Sequence, residues 1–173
     1  VAAYHLSKAL GWFLVPPTVL RRGPHGLGSL QLFIEHDPDI NYFSLDDRFE
    51  DQLRRFAIFD YIVNNTDRKG GHLQLDPRGK LWGIDHGLTF HTTPKLRTVI
   101  WDFAMQPVPD ELLGCLQSLC DRLDAADSAL VQALTPLLSR PEINAVQRRV
   151  QRLLETRTFP RPGPGPNHPW PPV

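Results

Sequence analysis

The sequence has no net charge, no long apolar run and only two cysteines. A formal net charge of +0 creates no field that would attract nucleic acid, so we expect no nucleic-acid partner. No apolar run approaches the roughly 18 residues of a membrane span, so we expect no stable membrane insertion. Cys115 and Cys120 share a helical pattern in which a disulfide is awkward, and no His pair nearby completes a zinc site. We interpret them as reduced thiols of a cytoplasmic protein.

What is present is the composition of an ordinary globular domain. The 173 residues are 41% hydrophobic and 22% charged, which is enough for one domain with a core. Fifteen arginines against four lysines suggest a bacterial protein from a GC-rich genome. Because the chain begins at Val1, the absence of a secretory signal carries little weight.

Local patterns predict a mixture of helices and two short hairpins. Glycine and proline positions, capping residues and apolar periodicity fix the expected bounds. The first part of the chain predicts a helix end at Tyr4–Leu10, strands at Phe13–Leu20 and Leu30–Ile34 around a turn at Arg21–Ser29, and a helix from Ser44 to about Val63. The rest predicts strands at Leu73–Leu75 and Lys80–Ile84, then helices at Asp110–Leu123, Ala126–Leu138 and Pro141–Thr156.

Seven of the fourteen residues from Pro160 onward are proline, which excludes a helix or a central strand. We expect a disordered, solvated tail, and a ligand for a proline-recognising domain is the alternative. In the last helix, Arg148, Arg149 and Arg152 are interpreted as a solvated face.

The second predicted hairpin brings three polar side chains toward one end. If Asp76 and Gly79 close its turn, His72 opposes Gly83, and Asp85 lies about two residues, roughly 7 Å, further along the strand. Asp67 occupies the adjoining loop. A single Mg²⁺ with its waters could be shared at this open end.

Phosphoryl transfer requires a carboxylate near the attacking hydroxyl, metal ligands and cations against the developing charge. Asp67 could accept the proton, and Asp85 with His72 could bind the metal. Lys69 could reach the transferred phosphoryl group. Arg68 is a second catalytic cation or, alternatively, a brace for the loop together with Asp60.

The residues Asn-x-Asp-Arg-x-x-x-His, followed by a strand pair and Ile-Asp-His-Gly-Leu-x-Phe, resemble the catalytic and metal-binding loops of phosphatidylinositol 3- and 4-kinase-like proteins. Type II phosphatidylinositol 4-kinases and an uncharacterised actinobacterial branch look most similar. The resemblance implies that Asp67 is the catalytic-loop Asp and Asp85 the metal-binding Asp. It implies ATP and Mg²⁺ or Mn²⁺ as cofactors, and an acceptor hydroxyl on a lipid head group, small molecule or protein.

The resemblance also implies an α+β fold, mainly a helical, protein-kinase-like C-terminal lobe with short hairpins and a remnant of the N-terminal lobe. The implied units are residues 1–36 for the remnant, 37–158 for the lobe and 159–173 for a proline-rich disordered tail. The strand at Leu30–Ile34 resembles the one that enters the hinge holding adenine, and the implied cofactor-binding residues are Gln31, Phe33, Ile34 and Ile84.

The chain departs from this family in three places. His72 stands where the family usually has Asn, and neutral imidazole suits Mn²⁺ or Zn²⁺ better than Mg²⁺. The sequence contains no candidate for the family's glycine-rich phosphate loop or for its ATP-contacting Lys. The Glu expected just before Val1 is also missing. The N-terminal lobe is therefore expected to be largely missing, by truncation, or the protein is a degenerate kinase.

Three functions stay open on the sequence. The first is an ATP-dependent phosphotransferase, and the second is a binding module that has lost catalysis. The third is a metal-dependent hydrolase that uses His72, Asp85, His86 and His91.

Overall fold

The computed structural model describes residues 1–173 and has an α+β architecture of five helices and two separate two-stranded antiparallel sheets. The helices are α1 Ala2–Ala9, α2 Glu50–Val63, α3 Asp110–Asp124, α4 Ala129–Leu134 and α5 Arg140–Thr156. The strands are β1 Thr18–Gly23, β2 Gly26–Gln31, β3 Leu73–Leu75 and β4 Leu81–Gly83.

The first helix and hairpin were predicted, but the strand bounds were wrong. α1 stops before Gly11, whose φ of +72° suits glycine. The hairpin turns at Pro24 and His25, because Gly26 at φ +102° permits a tight reversal there. The strands therefore run through most of the segment that was predicted as a turn, and most of their residues are exposed.

The helix α2 ends at Val63 as predicted but begins later than Ser44. The hydroxyl of Ser44 instead accepts a hydrogen bond from the Asn41 N–H at 3.0 Å and closes a single 3-10 turn. A second such turn, capped by Asp46, leads into α2. Local side-chain hydrogen bonds of this kind compete with a helix start, so two short turns replace the expected first turn.

The register of the second hairpin differs from the predicted one by one residue. Leu73 pairs with Gly83, so His72 faces Ile84, whose N–H donates to the His72 carbonyl at 3.0 Å. The cause is Gly79, which adopts φ +81° and makes the loop three residues long, with the Asp76 N–H bonded to the Lys80 carbonyl. The shift moves Asp85 closer to His72 than the predicted 7 Å.

The last three helices form the body of the lobe. α3 packs on α5, and α4 is shorter than predicted because the Ser128 hydroxyl caps it at the Val131 N–H. The buried apolar side chains form one cluster that also includes α1 and the hydrophobic face of α2. Because α1 packs against α4, this part of the segment assigned to an N-lobe remnant shares the core of the lobe, whereas its hairpin stays exposed.

The proline-rich tail is extended, but it is not free of the lobe, which corrects the expectation of a disordered segment. Phe159 is 1% exposed. The Asn167 carbonyl accepts hydrogen bonds from the Thr98 N–H at 3.0 Å and from Trp101 Nε1 at 3.1 Å. The tail belongs to no helix or sheet, but donors of the lobe thus satisfy this main-chain carbonyl.

Candidate active site

The loop after α2 is anchored by a buried ion pair. Asp60, in the last turn of α2, faces Arg68, and both side chains are 0% exposed. Arg68 Nε donates to Asp60 Oδ2 and Nη2 donates to Oδ1, each at 2.9 Å. Asn65 Nδ2 also donates to Asp60 Oδ1, at 3.0 Å. The predicted bracing role of Asp60 is therefore confirmed.

Arg68 links the two halves of the site. Its Nη1 donates to the carbonyl of Ile84 at 3.0 Å and to that of His72 at 3.3 Å, and its Nη2 lies 2.8 Å from His86 Nε2. A guanidinium with these partners and no exposed surface cannot contact a phosphate. The prediction of Arg68 as a catalytic cation is corrected, and its role is to position the loops.

Asn64 fixes the other side of the same loop. It ends α2 in the left-handed region, with φ +54°, and its Nδ2 donates to the carbonyls of His91 and Thr93, both at 2.8 Å. Its Oδ1 accepts from the Lys95 N–H at 2.8 Å. The segment that follows β4 is thereby held against the loop that carries Asp67.

Asp67 is placed by the loop, but its carboxylate is left free. Its N–H donates to Asn65 Oδ1 at 3.0 Å, while its carboxylate accepts no hydrogen bond and forms no ion pair in the protein. Lys69 is also half-buried, and its ammonium has no carboxylate partner. Both groups remain available to a ligand.

His72 and Asp85 face each other across the open end of the second hairpin. His72 Nε2 lies 3.7 Å from Asp85 Oδ2. Asp85 has φ +51°, a conformation that Asp tolerates better than most residues, and its side chain is 60% exposed. Burial lowers the pKa of His72, and the charge of Arg68 lowers it further, against the opposing effect of Asp85 and Asp67. The imidazole is therefore neutral near pH 7, as a metal ligand must be.

His72 and Asp85 together suit a metal ion whose other coordination positions are filled by a bound phosphate compound and water. Adjacent ligands of an octahedral ion lie about 3 Å apart when the bonds are about 2.1 Å, so a small rotation of the exposed Asp85 would bring both groups onto one ion. No group of three or more His, Cys, Asp and Glu side chains converges in the chain. Two protein ligands leave most positions for phosphate oxygens and water, and the imidazole favours Mn²⁺ over Mg²⁺.

The other histidines do not extend this pair. His86 stacks edge-on against Phe59, and its Nε2 is engaged by Arg68. Burial, followed by the Arg68 charge, lowers the pKa of His86 well below 6.5. The Nδ1 of His91 accepts a hydrogen bond from the Thr93 N–H. The four-residue metal centre of the hydrolase hypothesis therefore does not form.

The predicted adenine residues differ in what they can offer. Gln31 uses its amide on Thr18 Oγ1, at 2.9 Å, and Ile34 is 7% exposed. Phe33 is 81% exposed, and its main-chain N–H and carbonyl make no hydrogen bond. Ile84 is half-buried and offers only its side chain, because its N–H and carbonyl are engaged.

The sequence analysis interpreted Arg149 as part of a solvated face, and this interpretation was wrong. It is 8% exposed and donates from Nε to the Ile62 carbonyl at 2.8 Å. The available signal was its spacing, because it lies three residues after Val146 and four after Ala145, which are both buried.

Comparisons with known proteins show the family to which the chain belongs. The model of the family described as "Phosphatidylinositol 3- and 4-kinase" matches residues 22–134, which is more than half of the chain. The chain belongs to this family. The predicted resemblance is confirmed, and the predicted α+β fold class agrees with the helices and small antiparallel sheets of the structure.

Several individual proteins are similar to the chain. Protein Rv2133c of Mycobacterium tuberculosis is 34% identical over 206 residues, covering 99% of this chain and 73% of that protein. Phosphatidylinositol 4-kinase gamma 7 of Arabidopsis thaliana is 34% identical over 113 residues, covering 56% of this chain and 17% of the plant protein. The crystal structure of the Helicobacter pylori proinflammatory kinase CtkA aligns with a TM-score of 0.49 and 12% identity, covering 91% of this chain and 78% of that one. None of the helices combines the length and the apolar composition that crossing a bilayer requires.

Proposed function

We propose that this chain carries the catalytic and metal-binding part of an ATP-dependent phosphotransferase that transfers phosphate to a hydroxyl acceptor. The observation that carries the proposal is the contrast within one loop system. Arg68, Asp60 and Asn65 are buried and hydrogen-bonded within the protein, whereas the side chains of Asp67 and Lys69 beside them have no charged partner. Rigid loops that present free charged groups supply the positioning on which phosphoryl transfer depends.

Each free group has a role in that reaction. The carboxylate of Asp67 accepts the proton of the attacking hydroxyl. The ammonium of Lys69 offsets charge on the transferred group. His72 and Asp85 would hold Mg²⁺ or Mn²⁺, which would supply charge neutralisation on the phosphate oxygens. Family membership supports these assignments, since the motif match gives Asp67 and Asp85 the same roles.

The nucleotide base has a candidate position at the end of the first hairpin. Phe33 offers an exposed ring together with an unpaired main-chain N–H and carbonyl, which suit the stacking and hydrogen bonding of an adenine. Gln31 and Ile34 then support the segment more than they contact the base. The acceptor is a lipid head group, a small molecule or a protein hydroxyl, and the names of the plant relatives favour an inositol lipid.

A second candidate is a module of the same fold that binds a nucleotide or a partner without catalysis. The observation that favours it is His72, an imidazole at the position where the family usually has an amide ligand. In this case the loops would keep their structure, and nucleotide turnover would be absent.

Nucleotide binding and turnover distinguish the two functions. The full chain is titrated with ATP plus Mg²⁺ or Mn²⁺ in a thermal-shift assay, and ADP release is measured with candidate hydroxyl acceptors. Asp67→Asn should keep the metal-dependent shift but lower turnover by about 10²–10⁴. Asp85→Asn should lose the shift, and the exposed Asp127→Asn should change neither.

Full turnover in Asp67→Asn would exclude our role for that residue. A thermal shift without any ADP release would favour the binding module. The absence of a shift with either metal would contradict nucleotide binding by this chain.

A further inference from the structure

A cavity of about 360 Å³ lies between the segment after β4, the helix α5 and the proline-rich tail. Its lining includes four cationic residues and neither Asp nor Glu. These cations are Lys95, Arg97, Arg149 and Arg161. The volume falls in the range of about 300–1,000 Å³ that is typical of small-molecule sites.

The four cations have no counter-ion within the protein. No carboxylate oxygen lies within 4.0 Å of any of their nitrogens, whereas Arg68 and Arg157 elsewhere are paired. Their charges therefore add at the cavity without being neutralised. A walled cavity that concentrates charge of one sign attracts ligands of the opposite sign.

Arg149 gives the cavity a buried and incompletely bonded donor. The residue is 8% exposed, its Nε and Nη1 donate to main-chain carbonyls, and its Nη2 is buried without a partner. Burial lowers the pKa of Arg149 to about 10, which still leaves the group charged at neutral pH. A buried charge without a counter-charge is costly, so an anion in the cavity would stabilise Arg149.

The tail completes this cavity. Arg161 and residues 163–167 form one wall, and their path is fixed by hydrogen bonds between the side chain of Asn167 and the main chain of Gly163, both at 2.9 Å. The Asn167 carbonyl is in turn bonded to Thr98 and Trp101. A ligand in the cavity would contact lobe and tail together.

We propose that this cavity binds a phosphate-bearing ligand, held by Arg149 of α5, Lys95 and Arg97 of the neighbouring segment and Arg161 of the tail. Phosphate fits because its several oxygens accept from more than one guanidinium, and arginine forks match its geometry. The cavity is larger than a bare phosphate requires, so it suits a phosphate ester. None of Asp67, His72 and Asp85 lines the cavity, so the proposed binding does not depend on the proposed phosphotransfer.

The test uses the full chain in the presence of EDTA, so that metal-dependent nucleotide binding cannot contribute. Glycerol 3-phosphate is titrated by calorimetry, with glycerol as the uncharged control. Phosphatidylcholine vesicles with and without phosphatidic acid are tested by co-sedimentation. Binding of the soluble ester indicates a soluble ligand, and binding only to the phosphatidic acid vesicles indicates a lipid head group.

The variants Arg149→Gln, Arg161→Gln and Lys95→Gln should each weaken binding about tenfold, because each loses a charge-assisted hydrogen bond. Arg148→Gln is the matched control, since this exposed neighbour on α5 does not line the cavity. Bound ligand should also slow hydrogen exchange of the Thr98 amide, which bonds the tail.

The proposal is overturned if neither probe binds saturably. It is equally overturned if Arg148→Gln weakens binding as much as the cavity variants do, because the attraction would then be non-specific. Should Arg149→Gln fail to fold, Arg161→Gln decides the matter, since its side chain lies on the exposed tail.

Discussion

Replacing Asp60 by asparagine tests whether the buried ion pair holds the loop that carries Asp67. The Asp60 carboxylate accepts hydrogen bonds from Asn65 and from two nitrogens of Arg68, and neither charged side chain has any exposed surface. An amide offers only one oxygen, and its NH₂ group would point at the donors that the second oxygen now satisfies. Asp60→Asn would also leave the Arg68 guanidinium buried without a counter-charge.

The expected loss of stability follows from that burial. Removing one partner of a buried pair costs about 3–5 kcal/mol, a large share of the total of about 5–15 kcal/mol for a folded domain. Asp110→Asn is the matched control, because Asp110 pairs with Arg157 at 2.6 Å but its side chain is 90% exposed. Breaking an exposed pair costs about 1 kcal/mol or less.

The assay is urea unfolding followed by circular dichroism, with turnover measured in parallel. The double variant Asp60→Leu with Arg68→Met should regain much of the stability, since apolar groups can replace a buried ion pair. It should not regain turnover, because the carbonyls of His72 and Ile84 lose the donor that fixes them. Equal destabilisation by Asp60→Asn and Asp110→Asn would refute this reasoning.

Three further substitutions test the packing and the titration of the protein. Gly83→Ala should destabilise the protein by about 1–3 kcal/mol in urea unfolding, because the added Cβ would lie 2.6 Å from the Phe56 ring. Gly114→Ala in the open face of α3 should instead stabilise it by up to about 1 kcal/mol, and the same sign for both would contradict the packing argument. Desolvation lowers the pKa of the half-buried His86 well below its unfolded value of 6.5, so the folded state binds fewer protons. The free energy of unfolding should therefore fall below about pH 6.5 by up to about 1.4 kcal/mol per pH unit, and His86→Phe should reduce that slope measurably.

The sequence predicted the order of the elements better than it predicted their contacts. The helix end at Val63 and the hairpin beyond it follow from apolar spacing and turn residues. The register of that hairpin does not follow from these signals, because the same residues are compatible with a two-residue and with a three-residue loop. Only the φ of +81° at Gly79 selects the longer loop. That single residue brings His72 and Asp85 within 3.7 Å.

Burial was the property that the sequence could not supply. Arg68 stands beside Asp67 in the chain, so it was predicted as a catalytic cation, yet its side chain points into the lobe and meets Asp60. Arg149 was predicted on a solvated face, yet it is buried against the Ile62 carbonyl. The spacing of buried neighbours indicated the burial of Arg149, and the alternative of a brace with Asp60 indicated that of Arg68.

The two arginines also distinguish residues that stabilise the fold from residues that can bind a ligand. A charged group that has used its donors on a carboxylate and on carbonyls cannot also bind a phosphate, because each donor makes one good hydrogen bond at a time. Arg68 meets this condition and Arg149 does not, since its Nη2 lacks a partner. Charged groups left unpaired near the loop that follows α2 and near the tail are therefore candidates for binding a ligand, and they include Asp67, Lys69 and the four cations of the cavity. Substituting the paired residues should lower stability first, and substituting the unpaired ones should lower binding or turnover while the fold persists.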